Sequence, residues 1–167
     1  MLKLRFRESE LPRLASRYPV EVDGGIETWA ARAGKRGYLE RDEFLRICEW
    51  KTPRSRKSCR KNSASLVEEA TRVAFAAKNE EIKIGTLRVL SGVEWPTASV
   101  ILHLCDRGRY PILDIRALWS VGFARPPVYT FKLWWDYTRF TRELSRRSRL
   151  TMRDVDRALW QYSKERQ

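Results

Sequence analysis

The sequence predicts an all-α fold. Segments rich in Ala, Leu, Arg and Glu are separated by short stretches of Gly, Pro and Ser, and apolar residues recur in them at intervals of three and four. Almost no segment alternates apolar and polar residues with a period of two, as half-buried strands do. Because 43% of the 167 residues are hydrophobic, the chain can bury one core or two small ones.

The first predicted helices lie in the N-terminal third. Residues 26–33 are expected to form a short helix that Gly34 and Gly37 stop. Residues 41–50 follow with a buried apolar stripe, and acidic residues near their start suit the positive end of a helix dipole. This helix should end near Pro53, because proline disrupts a helix interior.

A basic segment interrupts the helices at residues 51–61. Six of its eleven residues are Lys or Arg, and none is acidic or strongly apolar. We expect a loop or a loosely ordered arm that contacts phosphates, although a charge run can also be a solvated face. The basic residues are Lys51, Arg54, Arg56, Lys57, Arg60 and Lys61.

Further helices are predicted over residues 63–77, 82–90 and 97–105. The first has apolar residues on one side and a Ser65-x-x-Glu68 capping box near its start. The link between the other two, residues 91–96, contains Gly and Pro, so it should form a tight hairpin.

The last predicted helices belong to the C-terminal third. Asp114 precedes a helix over residues 115–121. Two amphipathic helices follow between residues 131 and 167, and a Thr151-x-x-Asp154 box caps the second.

The charge balance predicts a polyanionic partner. The chain has 34 Lys and Arg against 21 Asp and Glu, a formal net charge of +13 at pH 7. Of the 34 basic residues 25 are Arg, whose planar guanidinium binds phosphate in a bidentate geometry. One run of arginines encloses a single acidic residue, Glu143, which favours an anion site: Arg139, Arg142, Arg146, Arg147, Arg149 and Arg153.

Several classes of protein are excluded. The longest apolar run, residues 98–105, is far shorter than the roughly 20 residues of a membrane span, and the N-terminus lacks the apolar region of a secretory signal. A cytoplasmic protein is therefore expected. Cys48, Cys59 and Cys105 are widely spaced, so they predict neither a disulfide framework nor a metal knuckle. His103 is the only histidine, which removes most histidine-based zinc sites.

The predicted hairpin can bind phosphate through its backbone. Residues 90–102 comprise a helix end, a turn with Gly92, and a second helix led by Pro96 and Thr97. The N–H groups of such a turn and of a first helical turn are unpaired and carry positive partial charge. Taken alone, the pattern also fits an ordinary packing device between two helices.

Two motifs in succession favour the functional interpretation. The hairpin sequence Leu-Ser-Gly-Val-x-x-Pro-Thr-Ala, residues 90–98, is followed by Pro111-Ile-Leu-Asp114. This pair resembles the helix-hairpin-helix DNA glycosylase superfamily, which includes adenine glycosylase and endonuclease III, and the similarity covers residues 87–122.

The resemblance implies one compact unit that consists of a helical bundle of two lobes. The first lobe is barrel-like, spans residues 40–122 and contains the hairpin over 87–105. Residues 1–39 and 123–167 together form the second lobe.

The resemblance also implies roles for individual residues. Gly92 and Val93 match the family's hairpin, Thr97 matches the start of its second helix, and Asp114 matches the catalytic aspartate. Pro96 stands where bifunctional members carry a lysine that forms a Schiff base, so no lyase activity is implied.

The chain departs from the family's hairpin pattern at one position, and the resemblance also implies which cofactors to expect. Glu94 replaces the family's second hairpin glycine and brings a negative charge to the place where a phosphate would approach. The resemblance allows a monovalent cation in the hairpin. No iron–sulfur cluster and no other cofactor are expected.

The implied reaction is hydrolysis of the N-glycosidic bond of a flipped base. A carboxylate near the anomeric carbon stabilises the cation-like sugar and positions a water, the role implied for Asp114. Asp114 can equally be a helix N-cap, and the two roles are compatible. Base flipping needs a wedge and an aromatic pocket. The candidates are Trp50, Asn62 and Trp119, with Trp95 as a further DNA contact, although tryptophans of a helical protein are commonly core residues.

We therefore expect a monofunctional DNA glycosylase of base excision repair. Its substrate would be duplex DNA with a damaged or modified base, and it would act as a nucleoid-associated monomer. Glu94 and Pro96 favour an alternative, a non-catalytic DNA-binding protein that kept the hairpin. The charge alone also fits an RNA-associated or structural helical protein.

Overall fold

The computed structural model describes residues 2–106 and 109–167. Within these residues all regular elements are helical, which confirms the all-α class. Short 3-10 helices cover Glu8–Glu10, Val20–Asp23 and Pro53–Ser55. The α-helices are α1 (Leu11–Ser16), α2 (Ile26–Arg36), α3 (Arg41–Lys51), α4 (Arg56–Cys59), α5 (Ala64–Ala76), α6 (Glu80–Leu87), α7 (Trp95–Cys105), α8 (Ile115–Ser120), α9 (Phe131–Ser148) and α10 (Met152–Arg166).

None of these helices is both long enough and apolar enough to cross a lipid bilayer.

The chain divides into two compact units. The terminal unit comprises residues 1–22 and 109–167, and the middle unit comprises residues 23–108. These limits differ from the predicted ones. Residues 23–39 belong to the middle unit, and residues 109–122 belong to the terminal unit.

The middle unit is built from α2 to α7. Gly34 lies so close to α7 that a Cβ atom there would overlap the carbonyl oxygen of Cys105. The Leu39 N–H donates to Thr71 Oγ1 of α5 at 2.9 Å. These contacts explain why residues 23–39 pack with the middle of the chain. The predicted stop at Gly34 is wrong, because α2 continues through Gly34 to Arg36. The helix ends at the second predicted position, Gly37, which has φ +88°.

A buried ion pair joins α6 to the end of α7. Lys83 Nζ lies 2.6 Å from Asp106 Oδ2, and both side chains are largely buried. The same ammonium group donates to the Phe75 carbonyl oxygen at 3.1 Å. The orientation of the two hairpin helices is therefore fixed at the end opposite to their connection.

The terminal unit is built from α1, α8, α9 and α10. Its core contains the fully buried Trp134 and Tyr137 of α9, and α10 packs against both α1 and α8. The Ser120 hydroxyl donates to the Leu159 carbonyl oxygen at 2.6 Å, which ties α8 to α10. This contact explains why the segment before residue 122 packs with the C-terminal helices.

Local capping agrees with the sequence at two of three places. Asp114 caps α8, and Thr151 with Asp154 forms the predicted capping box of α10. The predicted box at Ser65 is wrong. Ser63 has the extended backbone of an N-cap and its hydroxyl accepts from the Leu66 N–H, so α5 begins at Ala64.

The basic segment 51–61 is mostly helical, which corrects the expectation of a loop. Lys51 ends α3, a 3-10 turn follows over Pro53–Ser55, and α4 covers Arg56–Cys59. Cys59 is fully buried, so this segment contributes a side chain to the core of the middle unit. All three cysteines are free and buried, and burial raises the pKa of the Cys48 and Cys105 thiols.

Two glycine substitutions test the packing of α2 on α7. Gly34→Ala should lower the free energy of unfolding by about 1–3 kcal/mol, because the new methyl group overlaps the backbone of Cys105. Gly85→Ala is the matched control in α6. It places a methyl group where nothing lies within 4 Å, and should raise that free energy by about 0.5–1 kcal/mol. Urea denaturation measures both, and equal effects of the two variants would contradict this packing.

Candidate nucleic-acid interface

The hairpin between α6 and α7 contains a tight turn. The Val93 N–H donates to the Leu90 carbonyl oxygen at 3.1 Å, and Gly92 has φ +80°, as the third residue of a type II turn requires. The side chains of Val93 and Thr97 are each 3% exposed. These two predicted DNA contacts therefore expose almost no surface, and the Val93 N–H is already used within the turn.

Asn62 anchors this turn to the basic segment. Its side-chain amide donates to the Ser91 carbonyl oxygen at 3.0 Å, and its Oδ1 accepts from the Ser91 N–H at 2.8 Å. The same amide donates to the Cys59 carbonyl oxygen at 2.8 Å. Asn62 is only 2% exposed. Its prediction as a wedge residue is wrong, because a buried side chain with these bonds is not available to enter a duplex.

The turn also packs directly against α4. A Cβ atom on Gly92 would lie 2.8 Å from Cys59 Sγ and 3.0 Å from both the Cys59 nitrogen and Ser58 Cβ. Only glycine allows this approach, so the residue that the turn needs is also the residue that the packing needs. The hairpin and the basic segment, predicted as separate features, thus form one rigid surface of the middle unit.

Four basic residues on this surface are exposed and lack an acidic partner within the part of the chain that the structure describes: Arg54, Lys57, Arg60 and Lys61. Arg56 differs, because its guanidinium lies 3.1 Å from Glu49. Lys51 is half-buried at the end of α3. The surface therefore carries uncompensated positive charge beside the hairpin, a suitable arrangement for a phosphate backbone.

Arg88 is a residue of this surface that sequence reasoning missed. Its guanidinium lies 4.3 Å from the centroid of the Trp95 ring and 3.4 Å from Glu94 Oε2. It therefore offsets the negative charge at the hairpin and fixes the indole of Trp95. Its place at the end of α6, six residues before Glu94, was the only signal in the sequence.

The monovalent cation that the resemblance allows stays a prediction. In the hairpin, the Leu90 and Ser91 carbonyl oxygens each accept one hydrogen bond, from the Val93 N–H and the Asn62 amide. Among the described residues, no group of three or more His, Cys, Asp or Glu side chains is placed to hold a metal.

Asp114 lies in the terminal unit, half-buried at the start of α8. Its Oδ1 accepts from the Arg116 N–H at 2.9 Å, so it is an N-cap. Burial raises the pKa of the Tyr129 phenol, and the nearby charge of Asp114 raises it further. The pKa of the buried Tyr137 is also raised, mainly by burial and then by Asp156 and Asp114. A fixed carboxylate thus lies near two phenols, which sequence reasoning did not single out.

The two predicted base-pocket tryptophans differ in their surroundings. Trp119 stacks on Tyr162 at 5.8 Å, and the Arg5 guanidinium lies 4.6 Å from its ring. This ring is half-buried and packs against Tyr162 and Arg5, and its role in a base pocket stays a prediction. Trp50 is half-buried in the last turn of α3, next to the basic segment, and remains a candidate.

The arginine run of α9 and α10 is mostly paired, which corrects the expectation of unbalanced charge. Asp136, Glu143, Glu8 and Asp156 lie 2.5–2.8 Å from Arg139, Arg146, Arg147 and Arg153, respectively. Arg142 donates to the Arg109 carbonyl oxygen at 3.0 Å and lies over the Tyr110 ring at 4.8 Å. Arg149 has no acidic partner among the residues described.

No protein-family model, no curated protein and no solved structure matches this chain. The resemblance to helix-hairpin-helix glycosylases therefore rests on the motif residues themselves.

The two asparagines of the chain provide a test of the Asn62 anchor. Asn62→Ala should lower the free energy of unfolding by about 2–4 kcal/mol, because three hydrogen bonds are lost and the Ser91 N–H loses its acceptor. Asn79→Ala removes only the N-cap of α6 and should lower it by about 1 kcal/mol. Thermal and urea denaturation of both variants measure the difference. An Asn62→Ala variant no less stable than Asn79→Ala would show that the anchor is dispensable.

Asp114→Asn should lower the pKa of Tyr129 towards the ordinary tyrosine value. Asparagine caps a helix as well as aspartate does, so the variant removes the charge and keeps the local fold. NMR titration of protein with labelled tyrosine rings measures the shift, with Tyr129→Phe assigning the resonance. Asp136→Asn, on the exposed side of α9, should leave it unchanged. An unaltered pKa of Tyr129 in Asp114→Asn protein would show that the charge of Asp114 does not act on this phenol.

Proposed function

We propose that this protein is a monofunctional DNA glycosylase that hydrolyses the N-glycosidic bond of a flipped, modified or mispaired base. The observation that carries the proposal is the anchored surface of the middle unit. There a glycine hairpin is held by Asn62 against a helical segment whose Arg54, Lys57, Arg60 and Lys61 have no acidic partner in the described chain. Such a surface suits duplex DNA irrespective of sequence.

The proposed chemistry belongs to Asp114. Water attacks the anomeric carbon while the bond to the base breaks, and the base leaves with the bonding electrons and takes up a proton from solvent. The Asp114 carboxylate stabilises the positive charge that develops on the sugar and accepts the proton of the water. Its hydrogen bond to the Arg116 N–H fixes one oxygen, so the carboxylate is oriented before substrate binds.

The absence of a lyase step is part of the proposal. Pro96 is the second residue of α7 and has no amine that could form a Schiff base. Strand breakage would therefore require a separate alkaline treatment or another enzyme.

Three observations favour a second candidate, a DNA-binding protein without catalytic activity. The Ser91 N–H, one of the hairpin donors expected to bind phosphate, is used by Asn62. Glu94 keeps a largely exposed carboxylate at the start of α7, even though Arg88 is near it. The half-buried Trp119 ring is stacked on Tyr162. These features weaken base flipping and leave the basic surface intact.

Base release from a panel of duplexes tests the proposal. The panel carries uracil, oxidised guanine, alkylated purines, hypoxanthine and mismatched adenine, and alkali reveals abasic sites. Wild-type protein should release one of these bases, with strand breaks only after alkali. Asp114→Asn should reduce release by about 10²- to 10⁴-fold while duplex affinity is unchanged, because the carboxylate acts on the reaction and not on the backbone.

Asp136→Asn is the matched control, since it removes the same charge from a surface ion pair of the terminal unit. It should retain full base release. Release that is equal in wild-type and Asp114→Asn protein would contradict the assigned role of Asp114. Tight, salt-dependent binding with no release from any duplex would favour the non-catalytic candidate.

A further inference from the structure

A cavity of about 560 Å³ lies in the terminal unit, where α9 ends and α10 begins. Arg109, Arg146 and Arg149 line it together with Thr151 and Met152, and no acidic side chain is found among its described lining residues. The volume is within the range of about 300–1,000 Å³ that is usual for ligand sites. A cavity lined in this way is suited to an anion.

Two of the three arginines are not neutralised by the protein. Arg109 and Arg149 are exposed, and neither has an acidic partner among the residues that the structure describes. The Arg146 guanidinium makes two hydrogen bonds to Glu143, at 2.9 Å and 2.6 Å. The cavity therefore contains at least two full positive charges that no described acidic residue compensates.

The backbone at these two arginines is unusual. Arg109 and Arg149 have φ of +57° and +58°, and among the described residues they are the only non-glycine residues with positive φ. Arg149 is the C-cap of α9, a position where glycine is normally preferred. Arginine adopts this left-handed conformation less favourably than glycine does. Its presence at these positions therefore points to a role for its side chain.

Other groups fix the position of Arg109. Arg142 donates to its carbonyl oxygen at 3.0 Å, and the Arg142 guanidinium lies 4.8 Å from the Tyr110 ring and 5.4 Å from the Trp135 ring. Because Arg142 is held between its hydrogen bond and these rings, the left-handed backbone of Arg109 is built into the terminal unit.

The geometry points to a phosphate-binding cavity in which Arg109 and Arg149 grip one phosphate group. Guanidinium groups bind phosphate oxygens through paired, charge-assisted hydrogen bonds. The occupant is a backbone phosphate of the bound DNA strand, and this assignment rests on the proposed function. The cavity would hold the duplex at a point remote in sequence from the hairpin.

The test compares two variants with the same change in net charge. Arg109→Gly/Arg149→Gly removes both uncompensated charges and places at both left-handed positions the residue that adopts this conformation most easily. Arg13→Gln/Arg139→Gln removes two exposed arginines of the same unit that are paired with Glu10 and Asp136. Fluorescence anisotropy with an undamaged duplex measures Kd between about 50 and 200 mM salt.

The glycine variant should melt at a higher temperature than wild-type protein and yet bind DNA at least about tenfold more weakly. Its slope of log K against log salt should be less steep by about 0.9, because one phosphate contact is lost. The glutamine control should show a much smaller change in slope. Because the glycine variant gains stability, weaker binding cannot be attributed to unfolding.

A second titration uses inorganic pyrophosphate and follows the backbone amide signals of Thr151 and Met152 by NMR. In wild-type protein these signals should shift to saturation, and in the glycine variant they should stay in place. Unchanged signals in wild-type protein would overturn the cavity assignment.

The two titrations separate this inference from the proposed function. If wild-type protein binds duplex DNA and both variants behave alike, the cavity plays no special part and only the inference fails. If wild-type protein does not bind duplex DNA, the proposed function fails. In that case pyrophosphate shifts that depend on Arg109 and Arg149 would still support a phosphate site, whose natural occupant is then a free phosphate ester.

Discussion

The pairing of Asn62 with the backbone of Ser91 is the interaction on which the candidate interface depends. One side chain satisfies a donor and an acceptor of the hairpin turn and a carbonyl group of α4. Because it is buried, these bonds are not exchanged with water, and the turn and the basic helix keep one relative position. Gly92 adds the close approach that leaves Asn62 within reach.

Both pairs within a helix and pairs between distant segments decide which charges of this protein are compensated. The arginines of α9 and α10 form a conspicuous run, yet Asp156, three residues after Arg153, and Glu8, 139 residues before Arg147, neutralise members of it. In the basic segment, Glu49 is paired with Arg56, and Arg54, Lys57, Arg60 and Lys61 have no acidic partner among the described residues. Net charge therefore predicted a polyanionic partner. The residues that carry uncompensated charge could be identified only from the fold.

Local rules of helix formation could be applied to the sequence directly. Asp114, Thr151 and Gly37 cap helices because their chemistry suits those positions whatever lies around them. The roles of Asn62 and of the basic segment could not be predicted in this way. Asn62 is polar and follows a charged stretch, but its partner Ser91 is 29 residues away. Cys59 is buried, so it packs the charged segment against the core. Such long-range pairing leaves no local pattern.

The terminal unit comprises residues from both ends of the chain, and the middle unit occupies the sequence between them. Helix α1 packs against α10, so contacts that define this unit join residues separated by most of the sequence. Such contacts are slow to form, because a long loop must close before they contribute. During synthesis the middle unit is complete before residues 109–167 leave the ribosome, and its folding shortens that loop. The order of translation thus favours formation of the hairpin surface first and of the Asp114 environment last.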